Sequence, residues 1–171
     1  MVAPGRAAGR PFATVLLATD LTPVSGAATE QAIELAAQLG ARLLIVNVID
    51  PGRGGLLRPL GRVRPVEERE DRAAAAQNVV ERAHQAGARA TFLVWDGDPG
   101  DGILAAAEAE RADLIVVGTR RRGTVGRLLG SVSDHVVHRA TVPVLVVRPD
   151  GDEADVLHAA GAPTTGGRQW V

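Results

Sequence analysis

Apolar side chains fall into five short runs along the chain: Thr14–Ala18 (TVLLA), Leu43–Val48 (LLIVNV), Ala90–Trp95 (ATFLVW), Leu114–Val117 (LIVV) and Val144–Val147 (VLVV). Each is rich in Leu and β-branched residues and is bounded by Gly, Pro or Asp. Runs of this kind read as strands buried on both faces. Between them the apolar period lengthens from two to nearly four. Ala28, Ala32, Leu35, Ala36 and Leu39 share one helix face, and Gly40 stops that helix. Ala73, Ala76, Val80 and Ala83 form a second face ended by Gly87. Ile103, Leu104 and Ala107 mark a third helix, and Val132, Val136 and Ala140 a fourth that ends before Pro143.

The order is therefore β-α-β-α-β-α-β-α-β. Regular alternation of this kind predicts an α/β fold, a single domain built on an open parallel five-stranded sheet with helices on both faces. Its crossovers are expected to be right-handed. Met1–Arg10 lacks periodicity and reads as a disordered lead-in; residues 11–148 make the domain; residues 149–171 read as a flexible tail. Pro51–Pro65 (PGRGGLLRPLGRVRP) breaks the alternation. A loop of that length is either functional or disordered, and its Gly, Pro and Arg content favours disorder. The charged run Glu67–Arg72 reads as the solvated start of the second helix.

Composition narrows the chemistry. All 19 basic side chains are arginine, and lysine, cysteine and tyrosine are absent. A GC-rich coding bias accounts most simply for these zeros. Without lysine there is no Walker-type phosphate lysine and no Schiff base; without cysteine there is no thiol nucleophile or thiolate metal site. With two Phe and two Trp in 171 residues, the core must be built from Ala, Val, Leu and Ile. A net charge of −1 gives no general attraction to nucleic acid or membrane surfaces. No apolar run is long enough to span a bilayer, and the N-terminus lacks the apolar stretch of a signal peptide, so a cytoplasmic protein is expected.

In an open α/β sheet a ligand binds beyond the carboxyl ends of the strands, where strand order reverses. After the first strand comes Ala18-Thr19-Asp20-Leu21-Thr22-Pro23. Thr22 is expected to cap a helix beginning at Pro23. Asp20 then has two readings: a carboxylate offered at the strand tip, or a cap for its own turn. After the fourth strand, Gly118, Gly123, Gly126 and Gly130 punctuate a loop that carries Arg120, Arg121 and Arg122 and runs into a helix at Ser131. Ser131 and Asp134 resemble a capping box. A Gly-rich loop entering a helix N-terminus suits an anion, but it has neither P-loop nor G-x-G-x-x-G spacing. Asp98-Pro99 reads as a structural N-cap. His135 and His138, three apart, lack a third ligand and read as surface helix residues rather than a metal site. Three arginines without interleaved aromatics do not make a nucleic-acid surface. Ser25 has no partner in a triad context, so no hydrolase is argued.

Taken together, ATVLLATD, LAAQLGARLLIVNVID, GDPGDGILAAAEAERADLIVVGT and GSVSDHVVHRATVPVLVV resemble the universal stress proteins, the UspA-like family, over about Phe12–Arg148. The resemblance implies a Rossmann-like sheet of order 3-2-1-4-5, shared with adenine nucleotide alpha hydrolase-like proteins. That order sets Asp20 opposite Gly118. In the ATP-binding branch the fourth strand is followed by G-x2-G-x9-G-[S/T]. Gly118, Gly130 and Ser131 match it; Arg121 stands where the second glycine belongs, and the interval is one residue short.

By resemblance, Ala18, Thr19 and Asp20 contact ribose and adenine, and Leu43 meets the adenine edge. Gly118, Thr119, Arg120, Arg121, Arg122, Gly123 and Thr124 form the phosphate loop, and Ser131 and Val132 complete it. ATP, with Mg²⁺, is the expected ligand. A homodimer paired through Pro143–Arg148 in strand five is the expected assembly. The leading reading is a small ATP-binding stress-response regulator. The alternatives are a non-nucleotide dimerising module with a degenerate loop and, third, a weak ATPase.

Overall fold

A computed structural model describes residues 12–50, 65–119 and 130–148. The predicted lead-in, residues 51–64 of the Pro51–Pro65 loop, the arginine run and the tail lie outside the described residues. The elements are β1 (Thr14–Ala18), a 3₁₀ turn (Pro23–Ser25), α1 (Gly26–Leu39), β2 (Arg42–Ile49), α2 (Pro65–Gln85), β3 (Arg89–Asp96), α3 (Pro99–Ala109), β4 (Leu114–Gly118), α4 (Ser131–Arg139) and β5 (Val144–Val147). All five strands are parallel, in the order β3-β2-β1-β4-β5. The fold class and strand order are thus as expected. Among the described residues no helix is long and apolar enough to cross a membrane.

Period-two alternation divides each central strand between two cores. Val15, Leu17, Leu43, Ile45, Leu114 and Val116 face α1 and α2. Leu16, Leu44, Val46, Ile115 and Val117 face α3 and α4. Leu16, Leu17, Leu43, Leu44 and Ile45 are fully buried. Burial of a side chain of this size contributes roughly 1.5–3 kcal/mol, so Leu and Ile carry the core that aromatics do not. This assignment of helices to faces follows from handedness. The connections through α1 and α2 step in one direction along the sheet, whereas α3 returns past β1 and α4 continues that way. Right-handed crossovers running in opposite directions put their helices on opposite faces.

Helix ends explain several boundaries. Gly40 takes φ 62° and its N–H reaches the carbonyls of Ala36 and Ala37, which closes α1 as its left-handed cap. Asp98 caps α3, its Oδ1 accepting from the N–H groups of Gly100 (2.9 Å) and Asp101 (3.2 Å). Two expected caps are replaced. Thr22 precedes a 3₁₀ turn and its side chain caps no helix; its hydroxyl turns back to Asp20 instead. Ser131 is the first residue of α4 rather than its cap, because Gly130 holds the extended cap geometry and no side chain bonds there. The Ser131–Asp134 capping box is therefore not formed. At the other end of the sheet Asp113 Oδ2 accepts from the N–H groups of Ala13 (2.8 Å) and Thr14 (3.0 Å), which fastens the start of β1.

Close approach of α3 to the sheet depends on glycine. A Cβ on Gly102 would stand 2.8 Å from Val48 Cγ1 and 3.3 Å from Trp95 Cδ1, whereas one on Gly26 would meet nothing within 4 Å. The two positions should therefore respond oppositely to alanine. Gly102→Ala is expected to destabilise by about 1–3 kcal/mol through overpacking. Gly26→Ala, at an ordinary helical φ of −57°, is expected to be neutral or to stabilise by about 0.5 kcal/mol. Urea unfolding midpoints of the two variants check this pair of signs.

Candidate functional site

Strands β1 and β4 lie side by side, with Ala18 opposite Val117. From their carboxyl ends the chain leads to helices on opposite faces, α1 after β1 and α4 after β4. A crevice opens between two such divergent tips. Each tip continues one residue beyond its strand in a buried threonine. Thr19 (7% exposed) donates its N–H to Val46 O at 3.0 Å, and Thr119 (4% exposed) donates to Val147 O at 2.9 Å. The two tips are thereby held by neighbours on either side.

The β1 tip is wired internally. Asp20 Oδ1 accepts from the Thr22 N–H (3.1 Å) and from the Thr22 hydroxyl (2.7 Å). Of the two readings open for Asp20, the turn cap is thus formed, and the same carboxylate stands at the strand tip. Leu21 follows with φ 61°, a left-handed conformation that costs a residue with a Cβ about 1–2 kcal/mol. Its N–H donates to Thr19 Oγ1 at 3.0 Å, while its side chain packs on the α1–α2 core. Asn47 Nδ2 donates to Thr19 O at 2.9 Å from the adjacent strand.

The β4 tip is tied to the helix that follows its loop. Ser133 Oγ, in the first turn of α4, donates to Gly118 O at 2.7 Å. This bond brings the start of α4 to the end of β4. A Cβ on Gly118 would stand 3.3 Å from Ala28 Cβ, so glycine here admits α1 against β4. Among the described residues nothing lies within 4 Å of a Cβ placed on Gly130. The N-cap of α4 is Gly130, which has no side chain to offer, and among the described residues none caps this helix start. The first amides of a helix have no intrahelical acceptor and carry the positive end of its dipole, so they suit an anion. Val132 packs inward on the α3–α4 core, which leaves its backbone for any contact at this end.

Of the expected site residues, Ala18, Thr19, Asp20, Gly118, Thr119, Gly130, Ser131 and Val132 lie at this end of the sheet. Arg120, Arg121, Arg122, Gly123 and Thr124 lie outside the described residues. Leu43 is not brought to the group. It pairs with Val15, whereas Ala18 pairs with Val46. Three residues of strand at about 3.3 Å each set Leu43 about 10 Å below the tip, with its side chain fully buried in the core. The β2 residues that do reach the crevice end are Asn47 and Val48. Asn47, Ser25 and Ser133 were not anticipated as site residues. Asn47 was visible as the lone polar residue in LLIVNV, because an amide buried in such a strand needs a partner.

The remaining polar residues have structural partners. His135 Nε2 lies 2.8 Å from Asp101 Oδ1, with Arg139 3.6 Å from the same oxygen, so α4 is joined to α3. The His135 ring occupies the place where a Gly100 Cβ would sit, with Cδ2 2.6 Å from it. His138 Nδ1 lies 2.8 Å from the carbonyl of Asp134 on its own helix. Among the described residues no group of three or more His, Asp or Glu converges on a metal position.

Chemically, the crevice offers a carboxylate and hydroxyls on one side and helix-end amides on the other. Such a pairing suits a ligand with hydroxyl or amino donors at one end and anionic oxygens at the other. Comparison with known proteins agrees with this architecture. The model of the universal stress protein family matches residues 11–148. A universal stress protein of Thermus aquaticus is 40% identical over 147 residues, spanning 80% of this chain and 99% of that protein. One from Methanocaldococcus jannaschii is 31% identical over 140 residues, spanning 80% of this chain and 82% of its own length. A crystal structure of a universal stress protein in complex with cAMP superposes with a TM-score of 0.63 at 30% identity, covering 81% of this chain and 98% of that one. The chain belongs to the universal stress protein family.

Proposed function

We propose that this protein is an adenine-nucleotide-binding regulator of the stress response, acting in the cytoplasm, with ATP as its ligand. The observation that carries the proposal is the pairing across the β1–β4 crevice: the Asp20 carboxylate on one side and the uncapped N-terminus of α4 on the other. A nucleotide has the matching polarity, with hydroxyl and amino donors on its nucleoside and anionic oxygens on its phosphates. The cAMP complex of a relative at 30% identity supports the adenine nucleotide class. Asp20 would accept from ribose or adenine, and the backbone of Gly130–Val132 would donate to phosphate. Mg²⁺ would arrive on the triphosphate, because that ion keeps waters and phosphate oxygens as most of its ligands.

We also propose that two copies pair through β5. In a parallel strand, alternate residues direct both backbone groups to one neighbour. The carbonyls of Pro143 and Val147 bond to β4. Val144 and Val146 therefore direct theirs outward, and the edge Val144–Val147 is apolar and half-buried. A second copy of the strand would cover this edge.

Calorimetric titration with ATP should release heat, and a hundredfold excess over Kd should raise Tm by about 5–10 °C. Asp20→Asn keeps an oxygen to cap the Thr22 turn but removes the charge. It is expected to hold Tm near the wild-type value while weakening ATP roughly 10–100-fold. Equal affinity in the two proteins would remove Asp20 from the site. Absence of any binding by ATP, AMP or cAMP would favour the dimerising module without nucleotide.

The assembly has its own test. Val146→Pro deletes an outward N–H and leaves the β4 ladder intact. Light scattering should show wild type at about twice the 17.7 kDa chain mass and the variant at one chain mass, with circular dichroism unchanged.

A further inference from the structure

The sequence gives Ser25 no catalytic partner, and the nucleotide reading gives it no contact, yet it closes a chain of hydrogen bonds around Asp20. Ser25 Oγ donates to Thr22 O at 2.8 Å. A serine hydroxyl has one hydrogen, so the 2.9 Å bond between Thr19 Oγ1 and Ser25 Oγ is donated by Thr19. Thr19 Oγ1 in turn accepts the Leu21 N–H at 3.0 Å. The sequence of donors is fully determined: Leu21 amide to Thr19, Thr19 to Ser25, Ser25 to the Thr22 carbonyl. Bonds that run head to tail in one direction strengthen one another. Asn47 fixes the other side of the same residue by donating to Thr19 O, and it is 6% exposed.

These bonds bracket Asp20. They hold Leu21 in its left-handed conformation, which reverses the chain immediately after the acid and aims the tip at the crevice. Backbone strain of this kind persists only where its surroundings impose it. Here the imposing groups are two hydroxyls and one buried amide. We infer that Ser25 and Asn47 are positioning residues for nucleotide recognition, acting through Thr19 on the Asp20–Leu21 turn. The inference rests on the reading of the β1–β4 crevice as an adenine-nucleotide site. Neither residue need touch the ligand; each sets where Asp20 stands when the ligand arrives.

The test uses the full chain, with ATP as probe and two independent readouts. Ser25→Ala leaves the Thr19 hydroxyl without its acceptor, and Asn47→Leu removes the amide at similar volume. Each is expected to weaken ATP about tenfold. In Ser25→Ala the Leu21 amide should exchange with solvent at least tenfold faster than in wild type. Leu21→Gly supplies a residue at ease with φ 61°. Added to Ser25→Ala, it should bring ATP affinity back to within about threefold of wild type. Relief of the strain at φ 61° also returns some stability, so Tm is measured for every variant, and ATP affinity that merely follows Tm across the variants overturns the positioning role.

Wild-type affinity in both single variants, or an unprotected Leu21 amide in wild type, overturns the positioning role while leaving the nucleotide site intact. Failure of Leu21→Gly to restore binding overturns it as well. A wild-type protein that binds neither ATP, AMP nor cAMP overturns the nucleotide reading, and this inference with it.

Discussion

Right-handed crossovers between parallel strands constrain everything else in this molecule. They oblige α1 and α2 to lie on one face and, once the chain has returned past β1, α3 and α4 to lie on the other. Among neighbouring strands of this sheet, β1 and β4 are the pair whose connections lead away from each other, to helices on opposite faces, which makes their carboxyl ends the topological switch point. The structure makes that crevice firm on both sides. Thr19 and Thr119 extend the ladder one residue past each strand, bonding to Val46 and Val147 respectively. The tips therefore stay registered up to the point where the chain diverges. Ser133 then closes the β4 side by returning to the Gly118 carbonyl.

The two tips solve different problems. The β1 side must present a carboxylate in a defined place, which a flexible loop does poorly. It does so with short side chains, Thr19, Thr22 and Ser25, whose hydroxyls bond locally and lose little rotamer entropy. The β4 side, in a chain without lysine, presents the start of α4, and helix-end amides are donors of fixed geometry with no side-chain ordering cost. For the anion proposed to bind here, the absence of lysine leaves helix-end amides and arginine as the positive groups.

How much of this was legible in the sequence depended on whether the signal was periodic or local. Strands such as Leu114–Gly118 and helices such as α1 announced themselves because burial on a repeating face constrains every second or every third and fourth residue. The Asp98 cap was legible because its acceptors lie two and three residues on. Thr22 and Ser131 were misread because two groups compete at each position. Asp20 takes the Thr22 hydroxyl that would have capped a helix, and Gly130 already satisfies the extended cap geometry that Ser131 was expected to supply. Leu43 failed for a different reason. A motif resemblance fixes which strand is involved but not which end of it, and the register with β1 decides the end. Asn47 stands out in its strand as a buried amide that needs a partner, but the sequence does not say which partner it takes. Asn47 reaches Thr19 from 28 residues away in sequence.

Glycine is where the sequence pattern and the physical role separate most clearly. Gly118 opens the run of glycines that resembles a phosphate loop, yet packing favours a glycine there as well, because a Cβ would stand 3.3 Å from that of Ala28. Gly100 and Gly102 are needed in the same way, one by the His135 ring and the other by Val48. Each of these glycines thus has a packing role that needs no ligand. The groups that packing does not demand are the Asp20 carboxylate, followed by a left-handed Leu21, and the start of α4 at Gly130. Leu21 bears a local energetic cost, the strain of φ 61°. Strain of that kind persists only where its surroundings impose it, and here it stands at the strand tip, directly after the carboxylate that caps the Thr22 turn.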